Sequence, residues 1–195
     1  MRKKDSNNGT NLCHMEQNLT YEIILVLLNE ALHPRAIAQR VKTNHMAIIR
    51  KLKTLVDENV LDFRVDGRNK IYFLKKNIEA KSYCAMAEYY KLNRVLRKYP
   101  ELRKILEAIQ NNPSIKLAIL FGSYAKGMAD EESDIDIFIE TKNRNLKRQI
   151  EQFNSKLSIK IGVYDKSNPV IKEIEKNHVI IKGVDLFYER SRFFN

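Results

Sequence analysis

The chain has no tryptophan, only two cysteines, six glycines and four prolines in 195 residues. Cys13 and Cys84 lack the spacing of a disulfide framework or of a zinc knuckle, so both read as free thiols in a reducing compartment. The shortage of glycine and proline excludes collagen-like and low-complexity chains. The four histidines, His14, His33, His45 and His178, form no HExxH or triad-type grouping, and His178 reads as a helix-end residue. The longest apolar run, Ile23 to Leu28, falls far short of the roughly 18 residues that cross a bilayer. The basic start Met1-Arg2-Lys3-Lys4 adjoins no apolar signal segment. The expectation is a cytoplasmic protein with no membrane partner. Acidic residues are outnumbered, 24 against 35 Lys and Arg, a net charge of +11 that favours polyanionic partners.

What is present is a globular composition, 44% apolar and 30% charged, in a chain long enough for two small domains. The positive excess is uneven. Residues 1–76 carry 14 basic and 8 acidic side chains, residues 77–114 carry 7 and 4, and residues 115–195 carry 14 and 12. The excess therefore lies mostly in the first half. Residues 1–17, polar and without periodicity, read as a mobile tail.

From Leu19 the apolar residues recur at helical spacing through Ile23, Val26 and Leu27, predicting a first helix that ends near Glu30. Pro34 suits the first turn of a second helix, Arg35 to Val41. The turn Lys42-Thr43-Asn44 leads into a third helix that runs to about Glu58, with Ile49, Leu52 and Val56, flanked by Ile48 and Leu55, as its buried stripe. Opposite lie Thr43, Ala47, Arg50 and Thr54, with Lys51 to one side, a polar and basic face. A hairpin follows, Leu61 to Val65 and Asn69 to Leu74. Its apolar residues share one face if Asp66-Gly67-Arg68 forms a three-residue loop.

Three helices followed by a basic-tipped hairpin, over residues 18–76, resemble a winged helix-turn-helix domain of transcriptional regulators. The resemblance implies double-stranded DNA as partner. Thr43, Asn44, Ala47, Arg50 and Lys51 would then read a major groove, and Arg64, Arg68 and Lys70 would contact backbone or minor groove. Residues 77–112 read as a helical linker. Ile78, Met86, Tyr89, Leu92, Val95 and Leu96 form a stripe that either packs within the chain or pairs with its copy in a homodimer. After Pro100, Leu102, Ile105, Leu106 and Ile109 mark a further helix.

The densest pattern runs from Leu117 to Glu140. The apolar run Leu117 to Phe121 reads as a buried strand that ends in the turn Gly122-Ser123. Ten residues later, Asp134-Ile135-Asp136 opens a second strand. Side chains alternate along a strand, so Asp134 and Asp136 share one face, about 7 Å apart. Two carboxylates so placed repel, and a cation between them relieves the repulsion. Mg2+ suits the pair, because it takes one or two carboxylates and completes its shell with water and phosphate oxygens. Gly122 permits close backbone approach, Ser123 offers a hydroxyl and an N–H, and Lys126 offers a point charge for phosphate. Tyr124 to Lys126 reads as the opening of a short helix with its positive end towards that phosphate.

Gly122-Ser123, ten residues, then Asp134-x-Asp136 resembles the signature of the nucleotidyltransferase superfamily, the DNA polymerase beta-like fold. Residues 113–195 are similar in length to its minimal members, the MNT domains. The resemblance implies Asp134 and Asp136 as catalytic metal ligands, Gly122, Ser123 and Lys126 as nucleotide-binding residues, and Mg2+ with a nucleoside triphosphate as cofactor and substrate. It also implies NMP transfer to a hydroxyl acceptor on a protein, as related MNT antitoxins do to HEPN-type toxin partners.

Beyond Glu140 the pattern reads as helix Asn143 to Leu157, strand Ser158 to Tyr164, helix Pro169 to Asn177 and a last strand segment, Val179 to Tyr188, interrupted near Gly183. An α+β fold is expected, with a mixed sheet and helices on one side. Active members of the superfamily bring a third carboxylate on the strand after the helix. Here that strand offers Ser158, Lys160 and Gly162, with Asp165 beyond its end. Two readings stand: a minimal nucleotidyltransferase with a DNA-binding domain, or a transcriptional regulator whose nucleotidyltransferase domain is degraded and serves nucleotide sensing or scaffolding.

Overall fold

The computed structural model describes residues 8–194, with side chains from Asn18 onward. It divides into two compact units, one up to Tyr90 and one from Lys91. The division falls inside a single helix, so the expected linker, residues 77–112, is shared between the two.

The first unit opens with helix α1 (Asn8–Leu27), which begins well before the apolar periodicity at Leu19. Residues 8–17, expected as tail, are helical, and residues 1–7 lie outside the described residues. Helix α2 (Pro34–Val41) has Pro34 in its first turn and the His33 ring accepting from the Ala36 N–H. Helix α3 (His45–Asp57) is capped by the Asn44 side chain. Its buried stripe is Ile48, Leu52 and Leu55, whereas Ile49, predicted inside, is 38% exposed. The stripe is rotated from the expected centre because Ile48 and Leu55, placed as flanks, are the true core positions.

Strands β1 (Leu61–Asp66) and β2 (Asn69–Leu74) form the hairpin, but its loop is two residues, Gly67-Arg68. Positive φ at Gly67 alone, the first central position, is the type II′ pattern that matches strand twist. The three-residue loop is thereby overturned. Phe63 pairs with Tyr72 and Leu61 with Leu74, while Ile71 lies opposite Arg64 and Phe73 opposite Asp62. Tyr72 is the residue that keeps company with Phe63, their rings 5.5 Å apart, and that bridges to Leu32.

Helix α4 (Ile78–Lys98) follows. In its first half the buried apolar residues are small, Ala80, Cys84 and Ala87, joined by the buried Glu88, while Ile78, Met86 and Tyr89 are exposed, so the predicted continuous stripe exists only from Leu92 onward. Burial pushes the Cys84 thiol up to about 12, which keeps it protonated and unreactive.

In the second unit, a 3-10 turn (Pro100–Leu102) leads into α5 (Arg103–Asn111), with Leu102, Ile105, Leu106 and Ile109 all buried as the spacing predicts. Strand β3 (Ala118–Leu120), helix α6 (Gly122–Lys126) and strand β4 (Ile135–Glu140) come next. Helix α7 (Arg144–Glu151), strand β5 (Leu157–Gly162), helix α8 (Pro169–Lys176), strand β6 (Val179–Lys182) and helix α9 (Val184–Ser191) complete the unit. The segment after Gly183 is thus a helix and not strand. Val184, Phe187 and Tyr188 are buried at helical spacing, a period that a short apolar run conceals.

The four strands run in the order β5-β4-β3-β6, with β4 and β5 parallel and β3 antiparallel to both β4 and β6. The mixed α+β character is as expected. Ile135, Ile137 and Ile139 point into a core shared with α5, α7 and the end of α4, each burial worth roughly 1.5–3 kcal/mol. The opposite face is also covered: Phe138 is 3% exposed there, and Arg190 of α9 reaches Glu140. Helices therefore lie on both faces, and the end of the second face that carries Asp136 is only half-buried.

Candidate functional site

The register builds the site. Pairing of β3 with β4 continues one step beyond the strand, where the Phe121 N–H donates to the Asp136 carbonyl. The chain then turns at Gly122, whose φ of 69° is left-handed. A Cβ on Gly122 would stand 2.5 Å from Asp136 Oδ2. The absence of a side chain there is what lets the carboxylate lie against the Gly-Ser turn. Ser123 is half-buried beside it, and α6 ends at Lys126 because Gly127 takes the left-handed C-cap.

Asp134 is exposed just before β4, and Asp136 is half-buried within it. Burial raises the Asp136 pKa, with Asp134 and Glu173 pushing the same way. The hydroxyl of Ser158, its register partner on β5, and the charge of Lys160 hold it down. The site thus concentrates negative charge on a partly desolvated oxygen, the condition a hard cation relieves. Two carboxylates, two serine hydroxyls and open solvent fit Mg2+ with a phosphate-bearing ligand. Among the described residues no third acidic, His or Cys side chain joins them to form a ready cation cage.

The other sequence-predicted residues sort by geometry. Lys160 lies opposite Phe138, one alternation beyond Ser158, exposed on the Asp136 side of the sheet. Asp165 accepts from the Ser167 N–H and hydroxyl and is spent on its own turn. Lys126 Nζ meets Glu173 Oε1 at 3.1 Å. Glu173 is the residue that sequence reasoning missed. It sits on α8, nearly forty positions after the motif, and no local spacing marks it. A cleft of about 550 Å3 in the same unit, lined by Tyr99, Glu101, Tyr124, Asp130 and Lys156, also includes Ile135. Ile135 alternates away from Asp136, so this cleft is not where Gly122 and Ser123 converge.

In the first unit, Arg50, Arg64, Arg68 and Lys70 are exposed, while Thr43, Ala47 and Lys51 are half-buried on the flanks of α3. Asn44 spends its side-chain oxygen on the Met46 N–H, and the Thr54 hydroxyl donates to the Arg50 carbonyl. The outward face of α3 is centred on Met46, Arg50 and Lys53, of which Met46 and Lys53 were not foreseen. Lys70 Nζ stands 3.9 Å over the Phe63 ring. A cavity of about 670 Å3 between α2, α3 and the hairpin gathers Arg35, Arg68 and Lys70 with His33 and His45, so Arg35 belongs with the basic group.

Residues 103–192 match the family described as polymerase beta, nucleotidyltransferase. A protein of Methanocaldococcus jannaschii, described as a candidate protein adenylyltransferase, is 33% identical over 90 residues, covering 41% of this chain and 90% of its own length. The match spans Gly122, Ser123, Lys126, Asp134 and Asp136 together with α8 and its Glu173. By its second unit, the chain belongs to the polymerase beta nucleotidyltransferase family.

Proposed function

We propose that the second unit binds a magnesium nucleoside triphosphate and transfers NMP, with AMP the favoured group, to a hydroxyl on a protein. The observation that carries this reading is the Asp136 carboxylate lying against the side-chain-free Gly122 of the Gly-Ser turn. Asp134 and Asp136 would hold Mg2+, which supplies neutralisation of the triphosphate when bound. Gly122 and Ser123 offer backbone and hydroxyl donors to phosphate oxygens, and Lys126 offers a mobile ammonium. In the reaction the acceptor oxygen bonds to the α-phosphorus. The bond from that phosphorus to the bridging oxygen breaks, pyrophosphate leaves, and the hydroxyl proton passes to solvent or a nearby base. The name of the archaeal relative supports protein as the acceptor, and a HEPN-type protein is the partner class we propose.

The first unit, over residues 18–76, is proposed as a winged helix-turn-helix that binds double-stranded DNA. Support comes from α3 with Arg50 outward and the hairpin with Arg64 exposed on β1 and Arg68 exposed in its loop. Residues 77–112 would join it to the transferase, residues 113–195.

A second reading is favoured by Lys160, an exposed cation on the strand where the family's third acid is expected. In that reading the site binds nucleotide without turnover and the chain is a nucleotide-sensing regulator. Calorimetric titration with the four Mg-NTPs, followed by mass spectrometry for an NMP adduct on co-purified protein, separates the two. Binding with transfer establishes the enzyme, and binding without transfer the sensor. Undiminished binding in Asp134→Asn with Asp136→Asn would falsify the site in both.

A further inference from the structure

Lys126 is tied to a carboxylate that the family motif does not contain. Its Nζ lies 3.1 Å from Glu173 Oε1, with side chains 34% and 45% exposed. We infer that Glu173 is a positioning residue for Lys126, an exchangeable counter-ion that holds the ammonium at the nucleotide site and releases it to the triphosphate. This rests on the reading of the second unit as a nucleotide site.

Both ends of the bridge are anchored by backbone. Lys126 is the last residue of α6, and the turn behind it is closed by Gly127 N–H to the Tyr124 carbonyl and Met128 N–H to the Ser123 carbonyl. Glu173 is carried by α8, whose start is capped by Asn168 and whose Ile171 and Ile174 are buried. Only the two flexible side chains have freedom. Lysine suits an exchange of this kind, since it is a point charge on a long stem with no fixed fork to realign.

The balance of charge sets the direction of exchange. A solvent-exposed ion pair contributes little, whereas a triphosphate offers several charged oxygens to the same ammonium. Once Lys126 turns to phosphate, Glu173 remains as an added negative charge near Asp136. It then opposes the anionic ligand. Glu173 therefore lowers nucleotide affinity, first by occupying Lys126 and then by repulsion, while keeping Lys126 from wandering into solvent in the empty site.

The test is calorimetric titration of the full chain with Mg-ATP and, separately, inorganic tripolyphosphate, in wild type, Glu173→Gln, Lys126→Ala and the double variant. Glutamine keeps the shape of Glu173, and thermal melts verify that each variant folds. Glu173→Gln should tighten binding by about two- to fivefold, and Lys126→Ala should weaken it about tenfold. The gain from Glu173→Gln should shrink when Lys126 is already alanine, because no bridge is left to break. An equal gain in both backgrounds would mean that Glu173 acts only through space and would overturn the exchange. Binding in wild type with no tightening in Glu173→Gln overturns it as well and leaves the nucleotide reading intact. No binding of either ligand by any of the four proteins overturns both.

Discussion

The cations around the two candidate sites differ in what faces them. In the second unit Lys126 meets Glu173, Arg190 meets Glu140 and Lys166 meets Glu175, while Lys160 stands exposed. The acidic pair Asp134 and Asp136 is the local exception. In the first, Arg40 meets Glu30, but Arg50, Arg64 and Arg68 stand exposed with no carboxylate partner among the described residues. Matched charge around a small acidic centre is what a metal-phosphate site needs. Unmatched cations on an outward helix face and along the hairpin would suit a polyanionic partner.

The contrast extends to backbone space, where the largest effect is expected. Gly183 has φ of 85°, and a Cβ there would meet the Lys116 carbonyl oxygen at 2.3 Å; Gly67, φ 58°, has nothing within 4 Å. Gly183→Ala should cost about 3 kcal/mol or more, since backbone cannot step aside, and lower the melting temperature of the second unit by about 10 °C or more. Gly67→Ala should cost only about 1–2 kcal/mol of left-handed strain. Differential scanning calorimetry decides, and equal losses would erase the contrast.

Gly122→Ala comes next. Its Cβ clash is with the end of the Asp136 side chain, which can rotate. The fold should survive with a loss of about 1–2 kcal/mol, while Mg-NTP affinity falls at least about tenfold because the carboxylate is displaced. Calorimetry on the folded variant checks it, and unchanged affinity would detach Asp136 from the site.

For the first unit, Arg50→Ala should lower affinity for a selected DNA site about tenfold. Arg68→Ala should weaken all sequences alike and reduce the slope of log K against log salt by about 0.9. Fluorescence anisotropy over a salt series reads both, and wild-type behaviour in both variants would break the DNA reading.

The smallest effect is a pH dependence. Burial raises the Asp136 pKa, so the folded, metal-free chain holds this proton more tightly than the unfolded chain. The associated stability is fully present below the ordinary aspartate value and is lost as pH rises through the raised one. Asp136→Asn escapes that loss. In EDTA it should melt about one or two degrees above wild type at pH 7, with the gap closing towards pH 4, and Mg2+ should stabilise wild type alone. Melts from pH 4 to 7 with and without Mg2+ test the sign.

Local rules determined much of this from sequence alone. The spacing of Leu102, Ile105, Leu106 and Ile109 was enough to place α5 and its buried face, because helical periodicity over several turns has one solution. Gly122-Ser123 and Asp134-x-Asp136 marked the candidate site because strand alternation and a forced turn act over a few residues. What misled was anything with two solutions of nearly equal local quality. The hairpin loop of two or three residues, the run after Gly183 as strand or helix, and the stripe on α3 or α4 were settled by what packs against them. Tyr72 bridging Leu32 chose the register, and the Lys116 carbonyl beneath Gly183 accompanied the turn into α9. The partnership of Lys126 with Glu173 had no local signal at all. Only the tertiary structure decided it, because α8 returns to the motif after two further elements, and electrostatic contact depends on distance in space and not along the chain.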